Sequence, residues 1–206
     1  MIARDDHSSP PLLEEDLDPD PLAQFKKWFN EAHASGIAQP DAMTLATAVD
    51  EHPSARVVLL KHFDESGFVF FSNYQSQKGR EIAANPNVAL CFVWLELHRQ
   101  VRIVGAAARV TSDESDAYFA SRPRGAQIAA SASPQSEVLA SRAELESNFA
   151  RIEQETGDPA LRPRHWGGFR VAPATIEFWQ GQPDRLHDRL RYRREAGNWI
   201  IERLAP

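Results

Sequence analysis

The sequence predicts a mainly β fold with peripheral helices, in the α+β class, closed as an antiparallel barrel. Strand-like apolar runs lie at both ends of the chain, with helical periodicity between them. The links between the first runs are too short for parallel crossovers, so neighbouring strands should pair antiparallel. The chain has 206 residues, 42% hydrophobic and 25% charged, as expected for one soluble domain that needs no disulfide or metal to hold it.

Asp20-Pro21 opens the first helix, with an acidic N-cap and proline at the first helical position. Leu22, Phe25, Phe29 and Ala32 follow at helical spacing, and Gly36 ends the segment. Met43–Val49, Ala55–Phe63 and Phe68–Asn73 read as strands. Asp50-Glu51-His52-Pro53 and Asp64-Glu65-Ser66-Gly67 turn the chain between them. Ser76–Ala84 reads as a short helix that stops before Asn85-Pro86. Val88–Leu95 and Gln100–Val110 are two more strands. Helices follow over Asp113–Ser121, Gly125–Ala132 and Ser141–Glu155, the last with Leu145, Phe149 and Ile152 on one face. Phe169–Trp179, Leu186–Arg193 and Trp199–Leu204 complete the strands.

The net charge of -6 sits on residues 1–20, which hold Arg4 against seven acids, so the rest of the chain is neutral. Residues 1–19, with Pro10-Pro11 and few large apolar side chains, are predicted to be a mobile acidic tail, and residues 20–206 a single domain. A neutral body argues against a nucleic-acid backbone as partner. No apolar run approaches the length of a membrane helix, and Met1–Asp6 lack the basic-then-apolar order of a signal peptide, so the expected compartment is the cytoplasm. Cys91 is alone, cannot form an internal disulfide or zinc site, and reads as a buried hydrophobe in Val88–Val93. No Gly-x-Gly-x-x-Gly, P-loop or Gly-x-Ser-x-Gly motif occurs, and the histidines show no paired zinc spacing, so no metal is expected.

Scattered basic clusters in a neutral body suit small phosphorylated ligands. Arg56 and Lys61 share a predicted strand an odd number apart, so they face opposite sides unless a bulge re-aims one; they serve two groups or form a solvated edge. Ser76-Gln77-Lys78 opens a helix, where free N–H groups and a lysine make either a phosphate cradle or a solvated helix start. Tyr118 and Arg122, four apart, could grip a phosphate together or lie on a plain helix surface. Residues 185–194 hold five arginines and one aspartate. As a strand, Arg185, His187, Arg189, Arg191 and Arg193 share one face, and such a face repels itself unless anions meet it. Trp166-Gly167-Gly168-Phe169 and Glu177-Phe178-Trp179-Gln180-Gly181 supply core aromatics or a wall for a flat ring.

Together these segments resemble the pyridoxine/pyridoxamine 5′-phosphate oxidases. The resemblance runs in collinear order over residues 20–206, through Arg56–Lys61, Gly67–Asn73, Ser121–Arg124, Pro134–Ser136, Trp166–Val171, Ile176–Gly181, Arg185–Arg189 and Glu202–Pro206. It implies an FMN-binding split barrel and a homodimer with FMN at the interface. The implied reaction oxidises pyridoxamine 5′-phosphate and pyridoxine 5′-phosphate to pyridoxal 5′-phosphate, with oxygen reduced to hydrogen peroxide. By position, Arg56, Lys78 and Gln77 fall at the FMN phosphate, and Phe71, Ser72, Gln100, Gln135, Ser136, Trp179 and Arg189 line the rest of the flavin, with Lys61 adjoining. Lys61, Tyr118, Arg122 and Ala126 fall at the substrate phosphate. Arg185 and His187 fall over the pyridine ring as the catalytic pair. Three features depart from the family's usual pattern: Gln77 replaces a common base, Ala126 a common serine, and the acidic tail an Arg- and Tyr-bearing segment. The resemblance leaves two alternatives: a related FMN oxidase of phenazine biosynthesis, whose members tend to lose the lysine at position 61, and a non-catalytic flavin or pyridoxal phosphate carrier.

Overall fold

The structure is a computed structural model that describes residues 10–206. The first nine residues of the predicted tail lie outside the described residues. The helices are α1 (Pro21–Ala34), α2 (Gln77–Ala84), α3 (Ser112–Ser121), α4 (Arg124–Ala132) and α5 (Arg142–Glu155). The strands are β1 (Ala42–Val49), β2 (His52–Leu59), β3 (His62–Asp64), β4 (Gly67–Asn73), β5 (Asn87–Trp94), β6 (Arg99–Arg109), β7 (Trp166–Gln180), β8 (Asp188–Glu195) and β9 (Asn198–Arg203). All strand pairings are antiparallel, in the order β2-β1-β5-β6-β7-β4-β3, with β8 and β9 continuing from β7.

The two ends of that order are joined by the chain itself. Leu60 N–H donates to Asp41 O at 2.8 Å, on the β1 side, and Lys61 N–H donates to Val69 O at 2.9 Å, on the β4 side. This one-residue switch of partner closes the barrel. It also breaks the single strand predicted over Ala55–Phe63 into β2 and β3. Arg56 and Lys61 are therefore not on one strand, and their odd spacing does not set their faces. The split lies along β7, whose fifteen residues pair with β6 on one edge. On the other edge residues 166–171 pair with β4 and residues 175–180 with β8.

The start of α1 matches its sequence signal: the Asp20 carboxylate accepts Leu22 N–H at 3.0 Å, and Pro21 occupies the first turn. The helix lays Phe25 and Trp28 into the barrel mouth, where the Phe25 ring meets Phe63, Phe68 and Phe92 at 4.9–5.1 Å. Both residues are at most 2% exposed, and full burial of such a side chain contributes about 1.5–3 kcal/mol. Leu45, Leu90, Phe92, Val101, Ile103, Phe178, Leu190 and Tyr192 complete the interior. The alternation that sends these residues inward sends Cys91, Gln100, Arg102, Glu177, Trp179, Arg189 and Arg191 to the opposite face. Cys91 is accordingly half-buried on that outer face rather than in the core, with Sγ 3.6 Å from Gln100 Oε1. Burial still pushes its thiol pKa up.

Helix α3 carries a full capping box, Thr111 with Glu114. Gln127 ties α4 to α3 by donating to Phe119 O at 2.9 Å. Helix α5 has no fully buried residue and packs on α4. Between Pro10 and Asp18 the chain is attached to the barrel, for example by Tyr192 Oη donating to Asp18 O at 2.7 Å. No helix among the described residues is long and apolar enough to cross a membrane.

Candidate functional site

The predicted site residues fall into three sets, and Lys61 stands outside them. The first set forms where β2 meets α2. Arg56 Nη2 pairs with Glu81 Oε2 at 2.8 Å and also donates to Ser54 Oγ, while Nη1 donates to Thr47 Oγ1 at 2.5 Å. Gln77 Nε2 donates to Glu81 Oε1 at 2.8 Å. Burial pulls the Glu81 pKa up, but bonds from Thr47, Ser54, Gln77 and Arg56 outweigh it and hold the carboxyl at about 2. Ser76 caps α2 by accepting Gly79 N–H at 3.3 Å, and Lys78 Nζ lies 3.4 Å from the same hydroxyl. Burial, and then the nearby Arg56 charge, pull the Lys78 pKa down. Two cations here face one carboxylate, and α2 adds its N-terminal dipole end. The surplus positive charge fits a phosphate. Gly79 has to be glycine for this cap to form, because a Cβ would sit 2.3 Å from Tyr74 O.

The second set surrounds a ring stack. Phe71 lies 3.8 Å from Tyr118 and 5.6 Å from Trp166, with all three rings nearly parallel. The Arg122 guanidinium lies 4.5 Å over the Trp166 ring. Its Nη1 is buried and has no hydrogen-bond partner among the described residues. Burial lowers its pKa. A buried cationic donor without an acceptor is costly unless an anion meets it, so this atom fits a second phosphate. A cavity of about 260 Å³ opens beside it, lined by Asn73, Arg122, Ala129, Ala130, Ser133, Gln135 and Trp166. Ser72 Oγ and Gln135 Oε1 meet at 3.3 Å. The adjoining Ser136 holds a left-handed φ of 75°. Ala126 lies in the first turn of α4, where its N–H donates to Pro123 O at 2.9 Å.

The third set runs across the outer face of the sheet. Val93, Gln100, Trp179 and Arg189 align side by side from β5 to β8. Arg189 Nε donates to Glu177 Oε1 at 2.9 Å, which raises its pKa, and Nη1 donates to Ala205 O at 2.9 Å. The Trp179 ring lies 4.6 Å from that of His187. The arginine-rich strand is shorter than predicted. It begins at Asp188, so Arg185 and His187 are not on its face but in the tight turn before it, where Asp184 and Arg185 both have left-handed φ. Arg189, Arg191 and Arg193 do share a face. The anions that meet them are the chain's own carboxylates: Glu177 for Arg189, Glu202 for Arg191 at 2.7 Å, and Glu202 and Glu195 for Arg193 at 2.6 and 3.0 Å.

Lys61 lies at the barrel closure, 3.5 Å from Asp41 Oδ2, beside a cavity of about 180 Å³ lined by Phe29, Leu60, His62 and Phe63. No hydrogen bond or ion pair joins it to Tyr118 or Arg122 among the described residues. No hydrogen bond or ring contact there joins the third set to the first two either. The sequence offers Trp166 as a core aromatic or a wall for a flat ring; in the structure it lies under the Arg122 guanidinium. Glu81 and Glu177, which anchor Arg56 and Arg189, carried no sequence signal, since only strand register and helix placement bring them there.

Residues 29–155 match the family model described as pyridoxamine 5′-phosphate oxidase. Residues 166–206 match that of the pyridoxine 5′-phosphate oxidase C-terminal dimerisation region. A pyridoxine/pyridoxamine 5′-phosphate oxidase of Burkholderia multivorans is 55% identical, over 98% of this chain and 97% of its own. One of Rubrobacter xylanophilus is 57% identical, over 95% of this chain and 91% of its own. Among solved structures, PhzG of Burkholderia lata, in complex with tetrahydrophenazine-1-carboxylic acid, superposes with a TM-score of 0.90 at 31% identity, covering 97% of this chain and all of that one. A pyridoxamine 5′-phosphate oxidase-related FMN-binding protein of Nostoc punctiforme shares the fold, with a TM-score of 0.74 at 17% identity over 92% of this chain and all of that one.

Proposed function

The chain belongs to the pyridoxine/pyridoxamine 5′-phosphate oxidase family, and on that premise we propose that it oxidises pyridoxamine 5′-phosphate and pyridoxine 5′-phosphate to pyridoxal 5′-phosphate, with oxygen as acceptor and hydrogen peroxide as product. The observation that carries this reading is the pair of unmatched cationic sites. Arg56 and Lys78 exceed the charge of Glu81, and Arg122 buries a donor without a partner. Two phosphates, one on a cofactor and one on a substrate, would supply what both sites lack.

Arg56, Gln77 and Lys78 would hold the FMN phosphate, and Phe71, Ser72, Gln100, Gln135, Ser136, Trp179 and Arg189 the rest of the flavin. FMN, when bound, supplies hydride acceptance from the substrate and electron delivery to oxygen. Arg122 and Tyr118 would grip the substrate phosphate, with Lys61 added and Ala126 giving no hydroxyl. The Phe71–Tyr118–Trp166 stack excludes water beside that grip. Arg185 and His187 would orient the pyridine ring, whose placement against the flavin sets the rate.

The reading includes a homodimer. Within one chain the Gln100–Trp179–Arg189 row stands apart from the two cation sites, so a second copy would complete each site. The outer face also leaves Val57, Val93 and Val104 between 44% and 66% exposed, and a partner would cover them. The cytoplasm is the proposed location.

Likeness to PhzG keeps phenazine chemistry as a second reading, but identity to the oxidase relatives is far higher, and Lys61 is present. Anaerobic mixing of FMN-loaded protein with pyridoxine 5′-phosphate separates the readings. An oxidase bleaches its flavin within the time of turnover. A carrier binds without bleaching, and a phenazine enzyme responds to tetrahydrophenazine-1-carboxylic acid and not to the phosphate ester.

A further inference from the structure

The turn that carries Arg185 and His187 is strained, and one carboxylate holds it. Asp184 and Arg185 have φ values of 55° and 63°, in the left-handed region, and neither is glycine. Consecutive residues of this kind persist only where the surroundings fix them. Asp188, at the end of the turn, has a side chain 13% exposed. Its Oδ2 accepts from Gln182 Nε2 at 2.9 Å and from Leu12 N–H at 3.0 Å, and its Oδ1 accepts from Arg203 Nη1 at 2.7 Å. The three donors come from the start of the turn, the segment before α1 and the end of β9. Arg203 is itself held by both Glu14 oxygens at 2.9 Å and donates to Leu12 O at 2.8 Å. Inside the turn, Gln182 N–H donates to His187 Nδ1 at 3.0 Å. That bond requires a lone pair on Nδ1, so the neutral ring carries its proton on Nε2.

We propose that Asp188 is a positioning residue: by gathering Gln182, Leu12 and Arg203 it fixes the strained turn, so that Arg185 meets the substrate and His187 presents an Nε2–H donor. The segment around Leu12 and Glu14 thereby becomes a strap that steadies the catalytic turn from outside. This inference rests on the oxidase reading for what Arg185 and His187 contact, and not for the geometry of the turn.

The test compares FMN-loaded wild type with Asp188→Asn by 15N NMR of labelled histidine, with the His187 signals assigned through His187→Gln. Wild type should show His187 with an unprotonated Nδ1, and Asp188→Asn should mix the tautomers. Misplacement of this turn should lower kcat by roughly 10–100-fold. FMN affinity should hold within about twofold, because no flavin contact is removed. In the Arg185→Ala background the same change should cost less than about threefold, since both act through one turn. An unchanged His187 signature with losses that add in full would show that Asp188 only supports the fold, and would overturn the proposal. If Asp188→Asn does not fold, Gln182→Ala removes one donor and no charge and is read in the same way. A tautomer change in a protein that never oxidises pyridoxine 5′-phosphate would uphold the positioning of His187 and sink the oxidase reading alone.

Discussion

Replacing Arg122 with methionine should move stability and ligand binding in opposite directions. The Nη1 atom is buried without a partner, and an unmet buried donor costs about 1–3 kcal/mol. Against this, the guanidinium gains about 0.5–1 kcal/mol from lying 4.5 Å over Trp166. Methionine keeps most of the stem's packing on the ring and carries no donor. The difference favours the variant by about 1 kcal/mol, and a chain of this size should then gain about 2–4 °C in Tm. With a phosphate ligand present, the variant lacks a charge-assisted bond worth about 1.5–3 kcal/mol, so affinity should fall roughly 10–150-fold. Thermal unfolding of the ligand-free protein reads the first effect, and fluorescence titration with pyridoxal 5′-phosphate reads the second. A variant that melts several degrees lower and binds the ligand unchanged would refute the reasoning, because Arg122 would then be part of the scaffold.

Glu81, held at about 2 against an ordinary 4.5, gives stability that is complete above pH 4.5 and lost as the pH falls toward 2. Glu81→Gln should therefore flatten the acid limb in that window, which urea unfolding at pH 6 and pH 3 would reveal. Lys78→Met should leave the Tm of the FMN-free protein unchanged or higher, since it removes a half-buried cation beside Arg56. It should also weaken FMN binding by roughly 10–150-fold for one lost charged bond, measured by flavin fluorescence quenching. Gly79→Ala drives a Cβ to 2.3 Å from Tyr74 O and should cost about 1–3 kcal/mol or more in thermal unfolding, with loss of the α2 cap.

Local chemistry made most elements legible. The Asp20-Pro21 start of α1, the Ser76-Gln77-Lys78 opening of α2 and the turns after β1 and β3 depend on residues next to one another in sequence. What was not legible depends on partners far along the chain. The break at Leu60–Lys61 exists because Asp41 O and Val69 O compete for successive N–H groups, and the apolar pattern of Ala55–Phe63 does not record that switch. The arginines of β8 looked like a ligand face because Glu177 and Glu202 reach them only through strand register. Arg185 and His187 were placed on a strand because nothing in their spelling announces two left-handed residues before it. Of the candidate site, spacing singled out Tyr118, Arg122 and the start of α2, but Arg122 follows α3 in extended backbone rather than continuing its helical face. The Trp166 floor needed the β4–β7 pairing that sets Phe71 opposite Gly168.

The most direct test is aerobic turnover of pyridoxine 5′-phosphate by the FMN-loaded protein, following pyridoxal 5′-phosphate and hydrogen peroxide together. Both should appear in equal amounts, and Arg185→Ala should depress the rate while FMN stays bound. FMN held with neither product formed would contradict the oxidase reading.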